Sequence, residues 1–134
     1  PPAPGPRAAA MTPYGRRVRE LRAARGVTLA QMAQALGVTP AYLSALEHGK
    51  RGQPTFTLIQ GAIHVLGIIW DEADELIRLA DLSHPRVTVD TAGLEPEATL
   101  FANRLAREIE WLGPSDLAAL SSILDSAARR RGGA

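Results

Sequence analysis

Apolar and polar positions follow a helical period along most of the chain. After Thr12-Pro13, the residues Tyr14, Val18 and Leu21 fall at i, i+4 and i+7 and the run stops before Gly26, which predicts a first helix. Leu29, Met32, Ala33 and Leu36 repeat that spacing. Ahead of them Thr28 is placed as an N-cap, with Gln31 completing a Thr-x-x-Gln capping box. Gly37 stands where a left-handed C-cap residue is needed, a conformation that glycine adopts without a Cβ penalty. Val38 follows as an apolar plug. Thr39 is the next N-cap and Pro40 a first-turn proline, whose missing N–H costs nothing there. The helix that follows turns Leu43 and Leu46 inward and Thr39, Ala41, Ser44, Ala45 and His48 outward. His48-Gly49-Lys50-Arg51, with Pro54 beyond, is its stop signal. Two helices joined so tightly cross only over small residues, here expected to be Ala33 and Gly37.

Further on, Thr55 is expected to cap a fourth helix with Phe56, Ile59, Ile63 and Leu66 on its inner face, ended by Gly67. Asp71 is expected to cap a fifth helix through about Ala80. Asp71, Glu72, Asp74 and Glu75 suit the positive end of that helix dipole and are read as first-turn residues, not as metal ligands. Residues 84–94 carry turn formers at both ends and predict a linker with one short extended piece. Pro96 then opens a long helix with Phe101, Leu105, Ile109 and Leu112 inward, stopped at Gly113. A last helix from Pro114 or Ser115 places Leu117, Leu120, Leu124 and Ala127 near a 3.5-residue spacing. Two amphipathic helices joined by Gly-Pro make a hairpin that cannot bury its stripe alone. The expected cover is the same hairpin of a second subunit, with Trp111 as an interface anchor or a plain core residue. The other options are packing on the chain's own head and binding a different protein. The fold class is therefore all-α. Its parts are an N-terminal extension (1–11), a five-helix domain (12–83), a linker (84–94) and a C-terminal hairpin for dimerisation (95–131).

The tight pair over Thr28–Arg51 is the pattern of a helix-turn-helix, the element that lays a helix in the DNA major groove. Net charge is only +1 over 134 residues, and its distribution matters more than its sum. From Pro1 to Thr55 eight cations face only Glu20 and Glu47; from Phe56 to Ala128 four arginines face twelve carboxylates; Arg129-Arg130-Arg131 closes the chain. A basic half carrying the motif and an acidic half that would repel DNA suit a nucleic-acid head on a separate partner-binding body. The absence of cysteine rules out disulfides and thiolate metal sites and suits a reducing cytoplasm. The most apolar run, Ala62–Trp70, is broken by His64 and is far short of the ~20 residues of a membrane span. Residues Pro1–Ala10 are rich in Pro and Ala, lack a signal peptide's apolar core and are expected to be disordered. Three scattered histidines, with no glycine-rich phosphate loop and no Ser/His/Asp arrangement, indicate no catalytic residue, cofactor or metal. Nothing in the pattern signals a ligand pocket.

The motif Thr28-Leu29, Met32-Ala33, Leu36-Gly37-Val38-Thr39, Tyr42-Leu43-Ser44, Leu46-Glu47, Gly49-Lys50-Arg51 and Pro54 resembles the Cro/lambda-repressor-like (XRE) family of helix-turn-helix domains, from about Tyr14 to Leu66. The resemblance covers the family's five-helix core and under half of the chain. It implies a sequence-specific, usually dimeric transcription regulator without catalytic activity, and an ion pair of Arg22 with Glu47 tying the first helix to the recognition helix. Phosphates are expected at Arg16, Arg17, Lys50 and Arg51, and at the helix starts and loop marked by Thr28, Gln31, Gln53 and Thr55. Base edges are expected at Thr39, Ala41, Tyr42, Ser44, Ala45 and His48.

The chain departs from the phage repressors in one respect. Where those proteins carry amide side chains for adenine it has Pro40, Ala41 and Ala45, and where a minor-groove arginine is frequent it has Thr55. Alanines suit thymine methyls, so shape and phosphate contacts are expected to carry more of the specificity. The expected function is a homodimeric regulator, a repressor before an activator, on a palindrome of double-stranded DNA with half-sites ~34 Å apart. The alternative is an antitoxin or adaptor whose C-terminal helices take a protein partner and whose DNA binding is autoregulatory.

Overall fold

The computed structural model describes residues 10–132, and these form helices and no strand. The expectation of disorder in the N-terminal extension falls almost wholly outside them. The helices are α1 (Pro13–Arg25), α2 (Leu29–Leu36), α3 (Pro40–Glu47), α4 (Phe56–Leu66), α5 (Trp70–Asp81), α6 (Pro96–Glu108) and α7 (Pro114–Gly132), with a single 3₁₀ turn at Ile109–Trp111. They divide into two compact units that part between Thr88 and Val89.

The first unit is built on a repeated device. Thr12, Thr28, Thr39 and Thr55 each sit in extended backbone and accept, through the hydroxyl, the N–H three residues on. Each satisfies one orphan donor of its helix start, worth about 1 kcal/mol. At Thr28 the box is reciprocal, because the Gln31 carbonyl oxygen accepts the Thr28 N–H at 2.9 Å. Gly37 takes φ +71° and its N–H closes the last turn of α2. The core joins Tyr14, Val18 and Leu21 of α1, Met32 and Ala33 of α2, Leu43 of α3, Ile59, Ala62 and Leu66 of α4, Ile68, and Leu76 and Ala80 of α5.

Several expectations need correction. Gly37 is exposed and a Cβ there would meet nothing, so it serves the turn and not the helix crossing. The close approaches lie elsewhere: a Cβ on Gly15 would stand 2.0 Å from the Glu47 carbonyl oxygen, and one on Gly61 2.6 Å from Leu36 Cδ2. The second contact turns α4 so that Leu58, Ile59, Ala62 and Leu66 are buried, while Phe56 is 70% exposed. Asp71 is not the cap of α5. The buried Ile68 anchors the chain, Ile69 takes the extended cap position without a side-chain bond, and Asp71 and Glu72 fall in the first turn. Residues expected in the linker begin inside the first unit, where Pro85 packs by Gly49; no extended strand forms there.

In the second unit α6 ends at Glu108, four residues before Leu112. The tighter 3₁₀ turn swings Ile109 and Trp111 outward, and they stand 48% and 58% exposed. Phe101, Leu117 and Leu124 are also exposed, and only Leu105, Leu112 and Leu120 are half-buried among the large apolar side chains expected inward. They border a gap of about 220 Å³ together with Phe101, Arg104 and Glu108. No residue of α6 or α7 is buried. A two-helix hairpin has one contact face, too little to enclose a stripe.

Candidate nucleic-acid interface

Helices α2 and α3 form the candidate reading element, and α1 holds its far end. The Thr12 N–H and hydroxyl both donate to the Glu47 carbonyl at the C-terminus of α3, at 3.1 and 3.3 Å. Beside this lock, Arg22 Nη2 donates to the two Glu47 carboxylate oxygens at 2.8 and 3.0 Å. Both side chains are buried, Glu47 to 2% exposure, and the Arg22 Nε finds no partner. Burial pushes the Glu47 carboxyl above the usual carboxylate range, and the Arg22 charge and hydrogen bonds pull it back only in part. Burial and the Glu47 charge push the Tyr14 phenol well up, so it stays neutral in the core.

On the outer side of α3, Thr39 and Ala41 are exposed, whereas Tyr42, Ser44, Ala45 and His48 are half-buried. Two of these polar groups are already engaged. The Thr39 hydroxyl accepts the Tyr42 N–H at 3.0 Å, and His48 Nδ1 lies 2.8 Å from the Ser44 carbonyl oxygen. The reading face therefore holds hydroxyls, methyls and one imidazole edge, with no bidentate group of its own.

The candidate phosphate residues fall into two groups. Arg16, Lys50 and Arg51 are exposed and make no ion pair with the described residues. Thr28, Gln31 and Thr55 stand exposed at the starts of α2 and α4. Arg17 does not belong with them. Its guanidinium lies 2.8 Å from Glu75, 3.4 Å from Glu20 and 3.6 Å from Glu72, a cluster that ties α1 to α5 and neutralises the cation. Gln53 is half-buried and its amide nitrogen reaches Asp81 Oδ1 at 3.5 Å, a turn-bracing role. Two features went unseen in the pattern. One is the Thr12–Glu47 lock, whose only sequence trace is the Thr-Pro pair. The other is the Arg51 guanidinium, held over the Tyr42 ring at 5.8 Å from its centroid. Contrary to expectation there is also a recess: an open groove of about 610 Å³ runs between α2, the start of α3 and α4, rimmed by the hydroxyls of Thr39, Tyr42, Thr55 and Thr57.

Among the described residues no helix is long and apolar enough to cross a membrane, and no group of three or more His, Asp or Glu is placed to hold a metal ion.

Residues 13–82 match the model of the helix-turn-helix domain family. Over 61 residues the chain is 39% identical to the uncharacterized HTH-type transcriptional regulator RghRB of Bacillus subtilis (strain 168), covering 46% of this chain and 44% of that protein. Over 59 residues it is 41% identical to the uncharacterized HTH-type transcriptional regulator YazB of the same organism, covering 44% of this chain and 84% of that one. The chain thus spans less than half the length of RghRB. Two crystal structures of the clp gene regulator ClgR from Corynebacterium glutamicum are similar at 32% and 30% identity. They cover 57% and 75% of this chain and 94% and 89% of theirs, each with a TM-score of 0.44.

Proposed function

The chain belongs to the helix-turn-helix domain family, and on that footing we propose that it is a DNA-binding transcription regulator that works as a homodimer on a two-fold symmetric operator. The match to that domain and the resemblance to proteins named as transcriptional regulators support a regulator over an enzyme. The observation that carries the reading is the placement of α3. Its outer side carries the exposed Thr39 and Ala41, its C-terminus is locked to α1, the exposed Lys50 and Arg51 follow it in the chain, and Arg16 stands exposed on α1. In this reading α3 enters the major groove. Phosphates are held by Arg16 and Lys50 and by the N–H groups at the starts of α2 and α4, where partial positive charge gathers. Base edges meet Thr39, Ala41, Tyr42, Ser44, Ala45 and His48. Repression is the simpler output, since a bound dimer covers its site and needs no further contact.

Selection of duplexes from a random pool by the purified protein tests this. Two enriched half-sites related by a dyad, one helical turn apart (~34 Å), are expected; a pool that shows no enrichment overturns the reading.

The C-terminal unit supplies the second subunit contact in this proposal. Leu117 and Leu124 are 44% and 70% exposed on α7, so a charge at either position costs a lone chain little. In a dimer built on this face, Leu117→Glu and Leu124→Glu are expected to weaken association on the order of 30-fold or more, with helix content unchanged. Light scattering coupled to size exclusion reads the result. Unaltered dimers in both variants would place the contact elsewhere, and a wild type that is monomeric at micromolar concentration would favour the adaptor reading.

A further inference from the structure

The recognition helix lacks a bidentate reader, yet one guanidinium is held against it. The chain after α3 reverses sharply: the Gly49 N–H donates to the Leu46 carbonyl at 3.1 Å, and the Lys50 N–H reaches back to the Ala45 carbonyl at 2.9 Å. This closure sends Arg51 back along α3, where its guanidinium lies 5.8 Å from the centroid of the Tyr42 ring. The distance lies within the range of a cation–π contact. Tyr42 is in the first turn of α3, two residues from Pro40 and beside the exposed Ala41. Arg51 is exposed and makes no ion pair with the described residues.

The geometry points to Arg51 as a guanine-reading residue, with Tyr42 as the platform that positions it. The inference rests on the proposed DNA-binding function. Charge alone at a phosphate can be supplied by lysine as well, whereas a planar fork supported on a ring adds directed, paired hydrogen bonding. A guanidinium fixed against a ring keeps its N–H donors at its edge and loses less rotamer freedom on binding. That is the condition for paired hydrogen bonds to guanine O6 and N7. The methyls of Ala41 and Ala45 leave room for a side chain entering from outside the helix, and they contribute no competing donor.

The test compares four variants with the full-length wild type: Arg51→Lys, Arg51→Ala, Tyr42→Phe and Tyr42→Leu. Each is presented with the selected site, with that site substituted at each guanine in turn, and with scrambled duplex. Arg51→Lys keeps the charge, so its affinity for scrambled DNA should stay near wild type. Its discrimination should fall on the order of 10- to 100-fold at one guanine per half-site and at no other base. Tyr42→Leu should reproduce that same positional loss with the arginine intact, whereas Tyr42→Phe, which keeps the ring, should keep the preference at that guanine, any loss from its missing hydroxyl falling at a different base pair. Melting temperatures near wild type separate these effects from unfolding.

The inference is overturned if Arg51→Lys preserves every base preference. It is likewise overturned if Arg51→Ala weakens selected and scrambled DNA by the same factor, which marks a phosphate contact. Both results leave the regulator reading standing. Failure of the wild type to enrich any site would remove that reading and this inference with it.

Discussion

Gly15→Ala is expected to unfold the head of this protein or bring it close to unfolding. The added Cβ would stand 2.0 Å from the Glu47 carbonyl oxygen, 2.7 Å from its carbon and 2.8 Å from its Cα. All three are backbone atoms, so no side chain can swing aside. The only relief is to lift α1 from the end of α3, which breaks both Thr12 hydrogen bonds to that carbonyl and opens the core around Tyr14. Overpacking against a rigid neighbour costs about 1–3 kcal/mol and sometimes more, and the lost bonds add to it. A total of ~4 kcal/mol corresponds to roughly 16–32 °C in melting temperature for a domain this size. Far-UV circular dichroism on heating measures it. A variant melting within 3 °C of wild type would show that α1 and α3 are not clamped as described.

The second large effect is at the buried pair. Arg22→Ala strands the Glu47 carboxylate at 2% exposure, and breaking a buried pair from one side costs ~3–5 kcal/mol. Glu47→Gln leaves the Arg22 guanidinium, already short of one partner at Nε, facing a neutral amide, and should also lower stability. Replacing both, as Arg22→Met with Glu47→Leu, is expected to recover most of the loss, because an apolar pair of similar volume removes two desolvation penalties. Urea titration of the wild type, Arg22→Met, Glu47→Leu and the double variant gives the coupling. Additive single effects would mean that the pair is not an energetic unit.

The first four helices were legible because their signals are local. Threonine caps, Gly26, Gly37 and Gly67 at their ends, and apolar spacing all act within a few residues. What was not legible depends on contacts distant in sequence. Gly15 reads as a weak spot inside a helix until the end of α3, thirty-two residues on, is laid against it. Arg17 reads as a free cation until Glu75, fifty-eight residues away, turns out to neutralise it. The start of α5 was misplaced by two residues because an aspartate is a favoured cap, while the burial of Ile68 decided where the chain turned. At the C-terminal end, periodicity showed that an apolar stripe exists. It is silent on what covers the stripe, and within one chain no residue of α6 or α7 is buried.

The internal use of arginines has a consequence for ionic strength. Of the seven described cations up to Thr55, Arg17, Arg22 and Arg25 are spent on carboxylates of the same chain, which leaves Arg16, Arg19, Lys50 and Arg51. Each phosphate neutralised releases a condensed counterion and steepens the dependence of log affinity on log salt by about 0.9. In the proposed dimer these four per head, eight in all, would add at most about −7 to that slope even if every one met a phosphate, against about −13 for all seven described cations of each head. A regulator of the proposed kind would give up part of its grip on random DNA, and at cellular salt it would lean correspondingly harder on the fit of α3 to its site.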